Sequence, residues 1–188
     1  MKLKITIIIS LLISLITLCG LAPAKKFKTY KDKEETIFID LPRNWYYTIS
    51  DDGKSTQMFI SAEELKNKID SYKAVVSITR IRQMSQSFSQ IKNDGDIVKL
   101  WYSAIKNASQ KHYLTEELKI EKITLGNFKG IITESILQPV EQMAPRRTYQ
   151  AILAHNDDLY TMTMECSAQE WENYHEIFNR AIASLEIK

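Results

Sequence analysis

Residues 147–167 read RTYQAILAHNDDLYTMTMECS and contain two strand patterns on either side of a short turn. Asn156 and Asp157 both tolerate positive φ better than most residues, so they predict the turn of a β-hairpin. The register that follows puts three facing pairs on one face: Tyr149 with Met164, Ala151 with Met162, and Leu153 with Tyr160. Cys166 continues that face, while Thr161, Thr163 and Glu165 occupy the other. This stretch predicts an antiparallel sheet with a buried face.

A helix is predicted directly after this hairpin. Residues 167–170 read SAQE, which predicts a capping box: the Ser167 hydroxyl accepts from a free amide and Glu170 reaches back. Apolar side chains then recur at helical spacing, at Trp171, Tyr174, Phe178, Ile182 and Leu185.

The remaining segments predict more strands and a second long helix. Strands are expected over 36–41, 74–82, 117–125 and 130–137, a short helix over 62–72 and a loop over 138–146. A helix beginning at Asp94 or Asp96 and running to Lys111 would bury Val98, Trp101, Ile105 and Ala108. The element order predicts an α+β fold, a single domain with an antiparallel β-sheet and flanking helices.

A further hairpin is predicted around Asp52-Gly53, a strong two-residue turn. Its strands would be 45–50 and 56–61. The register would place three pairs on one face: Trp45 with Ile60, Tyr47 with Met58, and Ile49 with Thr56.

Residues 1–24 predict a signal peptide. Lys2 and Lys4 precede an apolar run over 5–18, which is shorter than the roughly 20 residues of a membrane span. Small residues end the segment, so we expect cleavage between Ala24 and Lys25 and an exported protein, periplasmic or secreted. Cys19 leaves a second possibility, a lipid anchor on that thiol, although Leu18 departs from the small residue typical of that position.

The charge pattern excludes a nucleic-acid binder. The net charge is +2, from 25 basic and 23 acidic residues, and removing Lys2 and Lys4 brings it to zero. A nucleic-acid interface needs a concentrated basic face. Residues 25–35 (KKFKTYKDKEE) show no period, so they predict a charged N-terminal tether before a folded domain over 36–188.

The sequence contains no recognisable catalytic or metal-binding constellation. It lacks a Gly-x-Ser-x-Gly elbow, a His-Glu-x-x-His pair and a phosphate loop, and its histidines at 112, 155 and 175 are far apart. Cys166 and His155 lie at opposite ends of their hairpin, so the thiol has no base. Asp51-Asp52 and Asp157-Asp158 fall in predicted turns, where aspartate is common for backbone reasons. We therefore expect no enzyme activity, no cofactor and no metal.

Aromatic residues are the more suggestive feature. Trp45, Tyr47, Tyr149 and Tyr160 lie on predicted strands where a concavity between sheet and helix could present them to a ligand or partner. Tyr30, Tyr46 and Phe59 fall outside the predicted core faces and suggest an exposed aromatic patch.

Two segments resemble PsbP-like proteins, relatives of the extrinsic protein of photosystem II, whose bacterial branch includes DcrB-like envelope lipoproteins. Residues 39–45 (IDLPRNW) are similar to the family's opening strand followed by Leu-Pro-x-x-Trp. Residues 156–163 (NDDLYTMT), followed by Trp171, Phe178 and 183–185 (ASL), are similar to its ending. The resemblance spans about 36–187 and implies an antiparallel sheet flanked by helices and an accessory, non-catalytic role.

Two functions follow as expectations. The first is an exported, non-enzymatic envelope protein that binds a partner protein or assembly and meets the membrane only through its signal peptide or a lipid anchor. The alternative is a carrier or hydrolase of a small apolar ligand held in the concavity.

Overall fold

The predicted hairpin of residues 147–167 lies inside a seven-stranded antiparallel sheet. The computed structural model describes residues 26–64, 73–139 and 144–188. In chain order its elements are β1 (Phe27–Lys31), β2 (Ile37–Pro42), β3 (Tyr46–Asp51), β4 (Ser55–Ser61), β5 (Ala74–Ile81), α1 (Met84–Ser87), α2 (Asp94–His112), β6 (Tyr113–Leu125), β7 (Phe128–Pro139), β8 (Arg146–His155), β9 (Asp158–Ser167), a 3-10 turn (Ala168–Glu170), α3 (Trp171–Ser184) and β10 (Glu186–Ile187).

The elements form three layers. The large sheet has the order β3-β4-β5-β9-β8-β7-β6, and a small sheet has the order β1-β2-β10. The small sheet and α3 cover one face of the large sheet, where the main core lies. α2 covers the other face over β6 to β9 around a second apolar cluster. The predicted α+β fold with an antiparallel sheet and flanking helices is confirmed.

The β8–β9 register is confirmed pair by pair. Leu153 faces Tyr160, Ala151 faces Met162 and Tyr149 faces Met164. Asn156 and Asp157 form the turn with φ of 51° and 68°. Because both residues accept this backbone conformation, the turn fixes the register locally.

The β3–β4 register was predicted wrongly by two residues. Tyr47 faces Ile60 and Ile49 faces Met58. The turn residues are Gly53 and Lys54, since the Asp52 amide donates to the Ser55 carbonyl at 3.1 Å and the Asp52 carboxylate accepts from the Lys54 and Ser55 amides. The bonds of the Asp52 carboxylate therefore place the turn one residue later than the predicted turn, Asp52-Gly53. Trp45, which was predicted to be the first residue of this strand, lies just before β3.

The predicted tether over 25–35 is wrong for residues 27–35, so the folded domain begins before residue 36. β1 pairs with β2 along its whole length. Tyr30 is buried, and its hydroxyl donates to the Pro42 and Trp45 carbonyls at 2.9 Å. Asp32 is only 3% exposed and accepts from the Thr36 amide and hydroxyl and the Ile37 amide at 2.7–2.9 Å. The lysines of this segment occupy exposed positions around these two anchors.

The capping box at residues 167–170 does not form. Neither Ser167 nor Glu170 makes a side-chain capping bond, because a 3-10 turn intervenes and the Ala168 amide donates to the Pro145 carbonyl at 2.8 Å. The Glu170 carboxylate accepts instead from the Asn173 amide group at 2.8 Å. Of the predicted stripe, Phe178 and Leu185 are buried and the other three side chains are half-buried, while Ile177 and Ala181 complete the buried face.

The α2 helix agrees with its predicted bounds to within a residue, and its Ile97 and Val98 side chains are buried against the sheet. Ala108 is exposed, so the buried stripe ends before it. Most of the predicted helix over 62–72 and part of the predicted loop over 138–146 lie outside the described residues. Among the described helices, none is long and apolar enough to cross a membrane.

Candidate functional site

The four predicted aromatic residues do not form one open surface. Trp45 is buried and packs edge-on against Tyr174, with 6.1 Å between ring centroids. Tyr160 is buried against Phe128 at 5.1 Å, and Tyr149 is half-buried. Only Tyr47 is exposed. The predicted concavity is wrong because the small sheet and α3 fill the face that carries these side chains.

The free edge of β3 is the first candidate site. The Asp52–Ser55 pair is hydrogen-bonded, and bonded pairs alternate along an antiparallel ladder. The backbone groups of Tyr46, Thr48 and Ser50 therefore point to β4, while those of Tyr47, Ile49 and Asp51 point outward. Among the described residues no strand pairs with this outer edge.

Two exposed tyrosines accompany that edge. Tyr46 is 48% exposed and Tyr47 is 38% exposed, and they lie on opposite faces of the sheet. The Tyr47 ring stacks edge-on against Tyr30 at 5.4 Å, and its hydroxyl donates to the Lys31 carbonyl. Partial burial, with a smaller contribution from Asp32, raises the pKa of Tyr47. Of the predicted exposed patch of Tyr30, Tyr46 and Phe59, Tyr46 alone is exposed, because Tyr30 is buried and Phe59 is half-buried.

A groove of about 440 Å³ opens beside the start of β3, between that end of the sheet and α3. Its walls include the indole of Trp45 and the ring of Tyr174, and Glu170 supplies a carboxylate. Burial, followed by the charges of Glu170 and Glu63, raises the pKa of Tyr174. The groove combines an aromatic wall with negative charge.

A second, polar cavity lies between α2 and the sheet. Its volume is about 240 Å³, and its lining comes from Tyr102, Ile105, Lys106 and Gln110 of α2 and from Glu117, Thr133, Ser135 and Gln150 of β6 to β8. The Tyr102 hydroxyl donates to Glu117 Oε2 at 2.5 Å. Burial, and then this bond and the charge of Glu117, raise the pKa of Tyr102 to about 12.

A buried hydroxyl without a partner among the described side chains lies on the sheet face that carries this cavity, but it is not part of the cavity lining. Thr148 is only 7% exposed, and its Oγ1 has no hydrogen-bond partner in the described part of the chain. It faces Ser135 across the β7–β8 ladder, so the two side chains share the face under α2. Sequence reasoning missed this cavity, although the polar residues that alternate along β9 already showed that this face is not uniformly apolar.

The remaining candidate groups serve the fold. Cys166 is fully buried, and desolvation raises its pKa to about 11. Arg146 pairs with Glu165, and Arg147 pairs with Glu134 while its guanidinium lies 4.2 Å from the Trp171 ring centroid.

The paired aspartates hold turns and nearby backbone. The Asp51 carboxylate accepts from the Gly53 amide, and the Asp157 carboxylate accepts from the amide and hydroxyl of Ser85. Asp158 receives two bonds from Arg80, at 2.7 and 2.9 Å. In the described ranges, no three metal-binding side chains form a cluster. His155 packs on Phe128 and His175 on Trp171, so these two rings do not meet.

Comparison with known families identifies the chain. The PsbP family model matches residues 25–187, so the chain belongs to the PsbP family. This confirms the resemblance of residues 39–45 and 156–163, and it extends the domain through the segment predicted as a tether. No curated protein matches the chain at the level of sequence.

Solved structures show the same fold. Cyanobacterial PsbP (CyanoP) from Synechocystis sp. PCC 6803 has a TM-score of 0.59 and 13% identity, covering 90% of this chain and 97% of its own. LpqN of Mycobacterium tuberculosis, described as involved in cell envelope biogenesis, has a TM-score of 0.51 and 9% identity, covering 87% and 91%. A putative regulator of unknown function from Pseudomonas aeruginosa has a TM-score of 0.50 and 11% identity, covering 86% and 97%. At these identities the likeness concerns the fold alone.

Proposed function

We propose that this PsbP-family protein is an exported, non-enzymatic accessory protein that binds an extended segment of a partner protein in the cell envelope. The observation that carries the proposal is the edge of β3, which pairs with no strand among residues 26–64, 73–139 and 144–188, with Tyr46 and Tyr47 exposed beside it. The predicted signal peptide supports export, and the description of LpqN as involved in cell envelope biogenesis supports the envelope.

The two edges of the large sheet differ in a way that favours β3 as the binding edge. Natural proteins protect free edges with lysine, proline, charged side chains or bulges. β6 has these features: residues 116–122 read EELKIEK, and a register shift interrupts the strand between Glu117 and Lys119. β3 reads YYTISD, without lysine, proline or a register shift, and its one charged residue, Asp51, stands at its end, so the rest of its edge remains competent for pairing.

Strand addition would use both the backbone and the tyrosines. An added strand would bond to the outward amides and carbonyls of Tyr47, Ile49 and Asp51, which supplies affinity. Tyrosine is enriched at interfaces because it offers a large apolar surface and a polar end. Tyr46 on one face and Tyr47 on the other would contact alternate side chains of the added strand.

Photocrosslinking in cells tests this proposal. p-Benzoylphenylalanine placed at Tyr46 is expected to give a discrete protein adduct, whereas the same group at Ile120 is not. Ile120 is a matched control, because it is 46% exposed and lies on the opposite edge strand. Equal adducts from both positions would refute β3 as the binding edge.

Proline at position 49 tests the backbone contribution. The Ile49 amide points outward, so Ile49→Pro leaves the β3–β4 bonds in place and removes one donor from the free edge. We expect the Tyr46 adduct to fall by up to about tenfold, because one interfacial hydrogen bond contributes about 0.5–1.5 kcal/mol, while Ile49→Val retains it. Thermal unfolding of both variants verifies that the fold is intact. An undiminished adduct in a folded Ile49→Pro variant contradicts strand addition.

Intact mass spectrometry of the mature protein tests export. A chain beginning at an unmodified Lys25 supports cleavage after Ala24, and a diacylglyceryl mass on Cys19 supports a membrane-anchored form. A mass that includes Met1 in the cell-envelope fraction contradicts both.

The alternative of a carrier is supported by one observation, the cavity under α2. The ligand originally expected was apolar and bound near Trp45 and Tyr160, where the structure is filled. The observed cavity is polar, so any ligand must be of a different class.

A further inference from the structure

We infer that the cavity under α2 binds a small zwitterionic molecule of the free α-amino acid class. The site is separate from the β3 edge and from the residues of the proposed partner interface. Its lining, its size and its unpaired groups lead to this class of ligand.

The lining contains one positive and one negative side chain that do not neutralise each other. Lys106 and Glu117 both border the cavity, and neither belongs to any ion pair found among the described residues. The Lys106 ammonium lies 5.8 Å from the Tyr102 ring centroid. Glu117 Oε2 accepts from Tyr102, which orients the carboxylate and leaves its second oxygen without a bond in the described part of the chain. A ligand with separated opposite charges satisfies both groups.

Mixed charge also excludes simpler ligands. A phosphate or another anion would be repelled by Glu117, and a divalent cation by Lys106. A purely apolar ligand would leave both charges and the floor hydroxyls desolvated without partners, which is costly. A zwitterion avoids each of these penalties.

The floor supplies polar groups for the ligand's remaining oxygens. Thr133 and Ser135 present hydroxyls, and the Gln150 amide nitrogen donates to Thr163 at 3.0 Å, which leaves the Gln150 carbonyl oxygen to accept.

The size of the cavity limits the ligand. A volume of about 240 Å³ corresponds to roughly eight water molecules at about 30 Å³ each. It lies below the range of about 300–1,000 Å³ typical of sites for drug-sized molecules. A single free amino acid fits, with Ile105 and the Tyr102 ring available to its side chain.

Isothermal titration calorimetry of the mature protein with a panel of free proteinogenic L-amino acids tests the inference. We expect saturable binding of at least one member. The methyl ester of that amino acid removes the carboxylate charge and its N-acetyl derivative removes the ammonium charge, so each should bind at least tenfold more weakly. Absence of saturable binding at millimolar concentrations, or a derivative that binds as tightly as the parent amino acid, overturns the inference.

Charge-removing variants assign the two ends of the ligand. Lys106→Met should weaken the parent amino acid about tenfold and abolish its preference over the methyl ester. Glu117→Gln should instead abolish its preference over the N-acetyl form. Lys99→Met is the matched control and should change neither preference, because Lys99 is exposed about two turns earlier on the same helix and does not line the cavity. If both variants lose affinity without changing these preferences, the residues act on the fold and the assignment is wrong.

Discussion

Replacing Gly130 with alanine should destabilise the protein strongly, because β7 and β8 approach closely at this position. Gly130 faces Leu153 in the β7–β8 ladder. A Cβ on Gly130 would lie 2.9 Å from both the Ile152 carbonyl carbon and Leu153 Cα, and closer still to the Ile152 carbonyl oxygen. Ordinary contacts with these atoms begin near 3.4 Å. The added methyl group therefore forces the backbones of the two strands apart.

The magnitude follows from how little β8 can move. Ile152 and Leu153 are both buried, one against α2 and the other against the main core. Moving β8 would disturb both clusters, so the cost lies at the upper end of overpacking, about 3 kcal/mol. Alanine is favoured over glycine in a strand by about 0.5–1 kcal/mol, which offsets part of it. We expect a net loss of about 2–2.5 kcal/mol and a fall in Tm of roughly 4–10 °C.

Urea and thermal unfolding of Gly130→Ala and Gly95→Ala measure this effect. Gly95 lies in the first turn of α2, and its added Cβ would meet only the tip of the Asn93 side chain, at 3.0 Å. Alanine is the better helix former, so Gly95→Ala should be neutral or slightly stabilising. A Gly130→Ala variant within about 0.5 kcal/mol of the wild type would refute the close approach of β7 to β8.

Two further predictions concern buried polar groups. Asp32→Ala should cost about 2–3 kcal/mol in urea unfolding, because it leaves the Thr36 and Ile37 amides without their acceptor, whereas exposed Lys33→Ala should change little. An Asp32→Ala variant as stable as Lys33→Ala would mean that β1 is not anchored there. Cys166 has a raised pKa in the folded state, so the unfolded chain loses the thiol proton first and stability should fall as pH rises from about 9 to about 11. Cys166→Ala should remove that part of the alkaline slope, and an identical slope in both proteins would contradict the assignment.

The sequence determines local pairing well where one turn is favoured and poorly where two turns are compatible. Asn156 and Asp157 permit one hairpin, so the β8–β9 register was predicted correctly. Around Asp52 two turns differ by one residue, and both registers keep the same side chains on the same face. Alternation cannot choose between them because a shift of two preserves the face. The choice depends on hydrogen bonds of the Asp52 carboxylate, which periodicity does not reveal.

Burial against the rest of the fold was beyond the reach of the pattern. Residues 27–31 look like a solvated tether because lysines surround Tyr30, yet β1 forms a hairpin with the neighbouring β2, and the buried tyrosine hydroxyl donates to the Pro42 and Trp45 carbonyls. The same limit applies to function. Tyr46 and Tyr47 were candidates from the sequence, but only the sheet order shows that they lie beside a strand edge. The polar cavity exists only because α2 lies over the strands that carry Thr133 and Gln150.

The two proposed sites should act independently, since the sheet order separates them. The partner edge is β3, and the cavity touches β8, β7 and β6 at the other end of the sheet. From β3 to β8 there are four strand spacings, or about 19 Å at roughly 4.8 Å each. Changes at sites more than about 7–10 Å apart without shared partners usually add.

This separation makes a prediction that can fail. Ile49→Pro should leave amino acid affinity unchanged, and Lys106→Met should leave the Tyr46 crosslink unchanged, each measured beside the wild type. A normally folded Ile49→Pro variant with altered amino acid affinity, or a normally folded Lys106→Met variant with an altered Tyr46 crosslink, would mean that the two sites are coupled. Such coupling requires a structural element that has two conformations, with each ligand shifting the equilibrium between them. The β5–β9 ladder would then be the place to look for it, because it joins the half of the sheet under α2 to the half that ends at β3.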